Sequence, residues 1–245
     1  MIKRRWTILI ILEVVVLAGA VFAVQRIYSV KAEKEQLAAE QEAERLAAEE
    51  AEKKAAEEAE RERKLEERNQ WNLILVNPEN AIPDGYTVET AATRDGQEVD
   101  ARIRDSLEEM LADCEEAGGT PYICSAFRTR ETQEYLYDRA VNKNDTALPG
   151  HSEHECGLAV DVIERESLSW GDPLIDKQEE TKTQMWLMEN CADYGFILRY
   201  PRDKEAITGI IYEPWHYRYV GKEYAAEIMQ SGKCLEEFLT EEFDT

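Results

Sequence analysis

At 245 residues, with 29 Lys+Arg against 52 Asp+Glu and a formal charge of −23, the chain has room for one sizeable domain plus appendages and is strongly acidic. Residues 71–245 hold 16 of the basic and 37 of the acidic side chains, so the acidity belongs to the segment with a globular composition. That argues against nucleic acid as a partner, because phosphate binding needs a basic face.

Composition divides the chain into residues 1–28, 29–70 and 71–245. In the first, Lys3, Arg4 and Arg5 precede an apolar run from Trp6 to Val24 broken only by Glu13, about the length that crosses roughly 30 Å of hydrocarbon. This predicts a transmembrane helix in the cell membrane, with the N-terminus cytoplasmic and everything after residue 28 outside. Ala18-Gly19-Ala20 and Val21-Phe22-Ala23 would also serve as signal-peptide cleavage sites, which would leave the domain secreted. Both readings export the domain.

From Lys31 to Gln70 there is no Gly or Pro, and Glu leads a basic residue by four in Glu49/Lys53, Glu50/Lys54, Glu57/Arg61 and Glu60/Lys64. The pattern predicts a charged helical spacer. Leu37, Leu46 and Leu65 are its only large aliphatic residues, too few for a sustained coiled-coil seam, so a solvated single helix with at most weak self-association is expected. At 1.5 Å per residue it would hold the domain about 60 Å from the membrane, a standoff suited to a substrate in the cell wall.

In the domain, Ile103, Leu107, Met110, Leu111 and Cys114 fall at helical spacing before Gly118-Gly119. Thr120 to Phe127 reads as a buried strand, and Thr129 as the cap of a second helix containing Gln133, Tyr135 and Leu136. Gly157 to Val162 is strand-like, about Glu179 to Asp193 is helical, and Ile207 to Tyr212 and Tyr217 to Val220 look extended. Without regular βαβ alternation, this predicts a compact α+β domain around a small, mainly antiparallel sheet. The five cysteines, Cys114, Cys124, Cys156, Cys191 and Cys234, match no disulfide framework or CxxC pair and read as small buried side chains.

The three histidines lie in two short segments, His151-Ser152-Glu153-His154 onward to Asp161 and Glu213-Pro214-Trp215-His216. A hydrolytic zinc centre needs about three imidazole or carboxylate ligands, an open position for water and a carboxylate to take that water's proton. His154, Asp161, His216 and Glu213 supply such a set. The spacing of His154 and Asp161 alone is a weak signal, and Glu213 and His216, three apart across a Pro, exclude the helical HExxH geometry, so the site must be assembled from loops and strands.

Ser152-x-His154-x-x-Gly157-x-Ala159-x-Asp161 followed by Glu213-x-x-His216 resembles the paired signature of the VanY-like D-alanyl-D-alanine carboxypeptidases. These are LAS-type zinc peptidases that trim peptidoglycan stem peptides. The likeness extends to Trp71-Asn72-Leu73-Ile74-Leu75-Val76-Asn77 with Ile82-Pro83, to Ser125-Ala126-Phe127-Arg128-Thr129 with Gln133, and to Tyr194-Gly195-Phe196-Ile197-Leu198-Arg199-Tyr200-Pro201, nearly all of residues 71–221.

The resemblance implies that His154, Asp161 and His216 hold one Zn2+, and that Glu213 activates the attacking water and then protonates the leaving amine. Arg128 stands at the family's position for receiving a free C-terminal carboxylate, a natural task for a guanidinium fork, and is expected to help stabilise the transition state as a catalytic residue beside Glu213, with Ser152 and Gln133 as supporting donors in the same pocket. His151 is expected to point away from the ligands, Cys156 not to ligate, and Trp215 and Tyr217 to serve as packing and pocket wall. The implied activity is removal of the terminal D-alanine from a stem peptide. An L,D-carboxypeptidase, a D-Ala-D-Ala dipeptidase and a wall endopeptidase are rivals within the fold, and a non-catalytic wall-binding protein is the rival from another class.

Overall fold

The computed structural model describes residues 25–26, 28–31, 33–56, 59, 63, 70–140 and 146–243. The chain divides into two compact units, Met1–Glu62 and Arg63–Thr245. In the first, residues 33–56 are helical, with the exposed ion pairs Lys31–Glu35 at 3.8 Å, Arg45–Glu49 at 3.4 Å and Lys54–Glu50 at 2.9 Å. Glu50/Lys54 is one of the pairs expected from the spacing, and pairs of this kind add about 0.3–0.5 kcal/mol each. Among the described residues no helix is long and apolar enough to cross a membrane. The expected anchor lies, apart from Gln25, Arg26 and Tyr28, outside the described residues.

The second unit is α+β. A hairpin of β1 (Thr90–Ala92) and β2 (Glu98–Asp100) precedes α1 (Arg104–Glu116), β3 (Pro121–Ser125), α2 (Arg130–Arg139) and β4 (Ala159–Glu164). Then come α3 (Lys182–Asn190), β5 (Phe196–Leu198), α4 (Glu205–Thr208), β6 (His216–Tyr219), α5 (Lys222–Ser231) and α6 (Leu235–Phe243). The main sheet has the order β3-β4-β6-β5 and is antiparallel throughout.

Period-2 alternation gives this sheet two different faces. Val160, Val162 and Tyr217 join the core formed with Leu107, Met110, Leu111 and Cys114 of α1. Asp161, His216 and Arg218, at the intervening positions, carry the polar chemistry and are also buried. Each buried aliphatic side chain of the core contributes about 1.5–3 kcal/mol. A second core joins Leu73 and Ile197 to Ile228 of α5 and to Leu235, Phe238 and Leu239 of α6.

α1 keeps the expected 3–4 spacing, and Thr129 caps α2 by accepting a hydrogen bond from the Thr132 N–H. Two expectations change. The helix placed over Glu179 to Asp193 is confined to α3, started by a Thr181 cap and flanked by 3-10 turns at Asp176–Glu180 and Cys191–Tyr194. The extended segment expected over Ile207 to Tyr212 instead begins as the single turn α4, closed by Gly209 at φ +72°. A short apolar run does not separate helix from strand, and a residue that adopts the left-handed region without strain ends the turn.

Candidate active site

The polar face of β4 and β6 sets the geometry. Asp161 pairs directly with His216 in the β-ladder, and the His216 Nδ1 lies 3.1 Å from Asp161 Oδ1. His154 arrives from the 3-10 turn Glu153–Cys156, which ends at Gly157 with φ +70°. A Cβ at Gly157 would come within 2.8 Å of Val88 Cγ1 and 3.0 Å of the Asp100 backbone N, so only glycine allows both the turn and its close packing on β2. The Glu155 carboxylate anchors the same turn, accepting from the Gly150 N–H at 2.7 Å and from Arg130 Nε at 2.6 Å.

Each imidazole has one nitrogen committed. His154 Nδ1 donates to the Ala126 carbonyl at 2.8 Å, because a carbonyl oxygen can only accept, which leaves Nε2 facing Asp161 Oδ2 at 3.3 Å. His216 Nε2 contacts Glu153 Oε2 at 3.3 Å, which leaves Nδ1 facing Asp161. Although buried, Asp161 Oδ1 has no hydrogen-bond partner.

One ligand atom from each of His154, Asp161 and His216 lies within 4.8 Å of the others. Zinc bonds of about 2.0–2.2 Å in a tetrahedral set put ligand atoms roughly 3.4 Å apart; His216 Nδ1 stands 3.1 Å from Asp161 Oδ1 and His154 Nε2 3.3 Å from the other oxygen, Oδ2. The fit rests on the buried Asp161 carboxylate, which turns Oδ1 toward His216 and Oδ2 toward His154, with Oδ1 lacking a hydrogen-bond partner; a buried acceptor left so costs free energy without a cation.

Burial pushes the Glu213 carboxyl up to about 7, with His216 opposing the rise and Asp161 adding to it. Its Oε2 lies 3.5 Å from His216 Nδ1, on the same side as the ligand atoms. Burial and the neighbouring Arg128 lower His154 to about 4. Burial acts to raise Asp161, but the two imidazoles beside it hold it well below the usual carboxylate range.

Arg128 is held by Ser125 Oγ, which accepts from Nε at 3.0 Å and from one terminal nitrogen at 2.8 Å; that same nitrogen also donates to Asp161 Oδ2 at 3.2 Å. The other terminal nitrogen donates to Gln133 Oε1 at 3.1 Å. Gln133 is fully buried behind Arg128 and spends its amide on the Ala147 carbonyl at 2.8 Å, so it braces the guanidinium rather than presenting a donor to the pocket. Arg128, Ser152, Glu213 and Trp215 line, with His154, Asp161 and His216, a cavity of about 420 Å³.

His151 turns away, its Nδ1 2.9 Å from the Asn77 carbonyl. Cys156 is buried in the main core, and Tyr217 packs there with its hydroxyl donating to Gln184 Oε1 at 2.7 Å. Reading the sequence did not single out Glu153, Arg199, Tyr200 or Arg218, all buried beside His216. The Tyr200 ring centroid lies 4.8 Å from that of His216. A signal existed for Arg218, which stands two residues after His216 on a strand and so shares its face.

A family profile described as VanY, D-alanyl-D-alanine carboxypeptidase, matches residues 96–222. A D-alanyl-D-alanine carboxypeptidase of Enterococcus faecalis (strain ATCC 700802 / V583) is 38% identical over 192 residues, 72% of this chain and 68% of that protein. Among solved structures, VanYB in complex with D-alanine-D-alanine is 38% identical, with a TM-score of 0.61 over 70% of this chain and 98% of that one. A zinc complex of a VanY D,D-pentapeptidase mutant from a VanB-type resistance cassette is 39% identical, with a TM-score of 0.61 over 69% of this chain and 99% of that one. The LdcB LD-carboxypeptidase is 32% identical, with a TM-score of 0.62 over 69% and 86%. With the signature residues gathered in one buried pocket and these relatives spanning the domain, the chain belongs to the VanY family of D-alanyl-D-alanine carboxypeptidases.

Proposed function

We propose that the domain is a zinc-dependent carboxypeptidase that removes the C-terminal D-alanine from peptidoglycan stem peptides ending in D-Ala-D-Ala. One observation carries the reading: the buried His154, Asp161 and His216 set, with its unpaired Oδ1, shares a pocket with a braced arginine and a carboxyl poised near neutrality. The relatives named for this activity, one bound to D-alanine-D-alanine and one to zinc, support it.

His154 Nε2, an Asp161 oxygen and His216 Nδ1 would hold the single Zn2+. When bound, zinc supplies Lewis-acid activation of water and of the scissile carbonyl. Glu213, whose Oε2 lies 3.5 Å from His216 Nδ1 in the same pocket, would accept a proton from the attacking water at one carboxylate oxygen and return it to the leaving amine nitrogen. Arg128 receives the substrate's terminal carboxylate. Ser125, Gln133 and Asp161 fix its direction in advance, which lowers the entropic cost of binding. Ser152, buried at the pocket wall, is placed to donate a further hydrogen bond, and Trp215 shields the reacting groups from bulk water. The basic N-terminus and the apolar run after it support a domain carried outside the membrane, facing its wall substrate.

Mass spectrometry of defined stem peptides after incubation with the full chain and zinc tests the reading. Loss of one alanine from the pentapeptide alone is expected, with turnover abolished in Glu213→Ala. Loss from the tetrapeptide would overturn D,D specificity, and zinc binding without turnover of any stem would overturn the enzyme reading.

A further inference from the structure

The two histidines of the centre present opposite ring nitrogens to it. His154 is tied at Nδ1 to a backbone carbonyl, whereas His216 is tied at Nε2 to a side chain, the Glu153 carboxylate. That carboxylate is itself rigidly held. Its Oε1 accepts from Arg199 Nε and from a terminal nitrogen of Arg218, both at 2.7 Å, so Oε2 is left for the imidazole.

Both guanidinium groups are fully buried and anchored on their far sides. Arg218 donates to the Ile74 carbonyl at 2.8 Å, to the Asn72 carbonyl at 3.2 Å and to the Tyr219 carbonyl at 3.0 Å. Arg199 makes a two-pronged pair with Glu236 of α6, at 2.8 and 2.6 Å. Two buried arginines, the buried Glu153 and the part-buried Glu236 thus form a charge-balanced network, Glu236 to Arg199 to Glu153 to Arg218, which meets the His216 imidazole through Glu153 Oε2.

A buried ion network is a poor way to gain stability, because desolvation offsets most of the attraction and an apolar filling of equal volume serves as well. A metal-binding imidazole does need an acceptor on its other nitrogen, to fix the tautomer and strengthen the ligand atom. Resting on His216 as a zinc ligand, we infer that Glu153 is the positioning residue that makes His216 bind through Nδ1, and that Arg199, Arg218 and Glu236 hold Glu153 in that role. Helix α6, outside the residues 96–222 matched by the family profile, thereby becomes part of the support of the metal centre.

With three histidines in the chain, the tautomers can be read directly. Long-range proton–nitrogen correlation spectra of the full chain, labelled with 15N-histidine and loaded with zinc, should show His216 protonated at Nε2 and His154 protonated at Nδ1. Metal coordination of His216 through Nε2 would overturn the inference without any variant. In chelator competition, Glu153→Asp, which keeps the charge but shortens the reach, and Glu153→Gln should each bind zinc about 10–100-fold more weakly. Their kcat should fall while KM for the stem peptide stays near wild type. Folded variants with zinc affinity within about threefold of wild type would also overturn it; should neither fold, the wild-type tautomer decides. If zinc binds with the expected tautomers but no stem peptide is cleaved, the proposed function fails and the positioning role stands.

Discussion

Asp161 and His216 are cross-strand partners in the central sheet, and their side chains meet with Nδ1 3.1 Å from Oδ1. The meeting of these two side chains is therefore a consequence of the β4–β6 register, since a one-residue slip would turn His216 to the opposite face. Asp161→Asn keeps the shape and removes the charge. Its zinc affinity should fall by more than about 100-fold, beyond the roughly 10–100-fold loss typical of an outer hydrogen-bond partner. Competition with a chromophoric chelator measures this, and wild-type affinity would remove Asp161 from the ligand set.

Arg128 presents a fork whose orientation depends on separate bonds to Ser125 and Gln133. Lysine offers a single point charge and cannot make both. Arg128→Lys should lower kcat/KM for a D-Ala-D-Ala peptide by about 10–100-fold, the worth of one charge-assisted hydrogen-bonded contact, chiefly through KM. Steady-state kinetics with the peptide and its C-terminal amide check the role, because the amide should discriminate little between wild type and variant.

Acid sensitivity follows from Glu236. Burial works to raise its pKa, but Arg199 outweighs that and holds the folded-state carboxyl below its ordinary value. Such a group stabilises the fold fully above the unfolded pKa of about 4.3, and the contribution is lost as pH falls through the lower folded value. The Glu236 contribution, read as the Tm difference between wild type and Glu236→Gln, should be constant from pH 7 to about 5 and decline below about 4.5. Glu236→Gln should lower stability at pH 7 by about 3 kcal/mol, because it leaves Arg199 half-paired, and should show a shallower acid decline. Parallel acid slopes in calorimetry would rule out Glu236 as a source.

All five thiols are unpaired, and four of them are buried. Burial pushes Cys156 and Cys191 up to about 12 and Cys114 up to about 11. Because the thiolate is the reactive form, native protein at pH 8 should resist iodoacetamide at these three positions and react at all five once unfolded in urea. Rapid native labelling of Cys156, resolved by peptide mass mapping, would contradict its place in the core.

Elements defined by local pattern were legible: α1 from its apolar spacing, the Thr129 cap, and β4 from its apolar run ending near Asp161. The grouping of His154 with His216 was legible because only three histidines exist and all fall in two short segments, whereas Asp161 came from the resemblance rather than from spacing. Glu153 was not legible. A glutamate between a serine and a histidine reads as solvated, and its burial depends on Arg199 and Arg218, which reach it only through the folded sheet. The α4 turn was hidden because its last residues, Ile207 and Thr208, lead through Gly209 into the apolar Ile210-Ile211-Tyr212, which together read as extended. Helices α5 and α6 carried a readable signal in Ala225, Ile228, Leu235, Phe238 and Leu239, yet their place against Ile197 and Leu73 is set by tertiary packing.

His154 and Asp161 lie seven residues apart, but His216 follows Asp161 by 55, with α3, β5 and α4 between them. A cation shared by the three acts as a removable cross-link, closing that intervening loop in the native state alone and so reducing the entropy gained on unfolding. By mass action, free zinc at a thousand times its dissociation constant would add about 4 kcal/mol to the folded state. The level of free zinc would then set how long the folded protein persists as well as how fast it works.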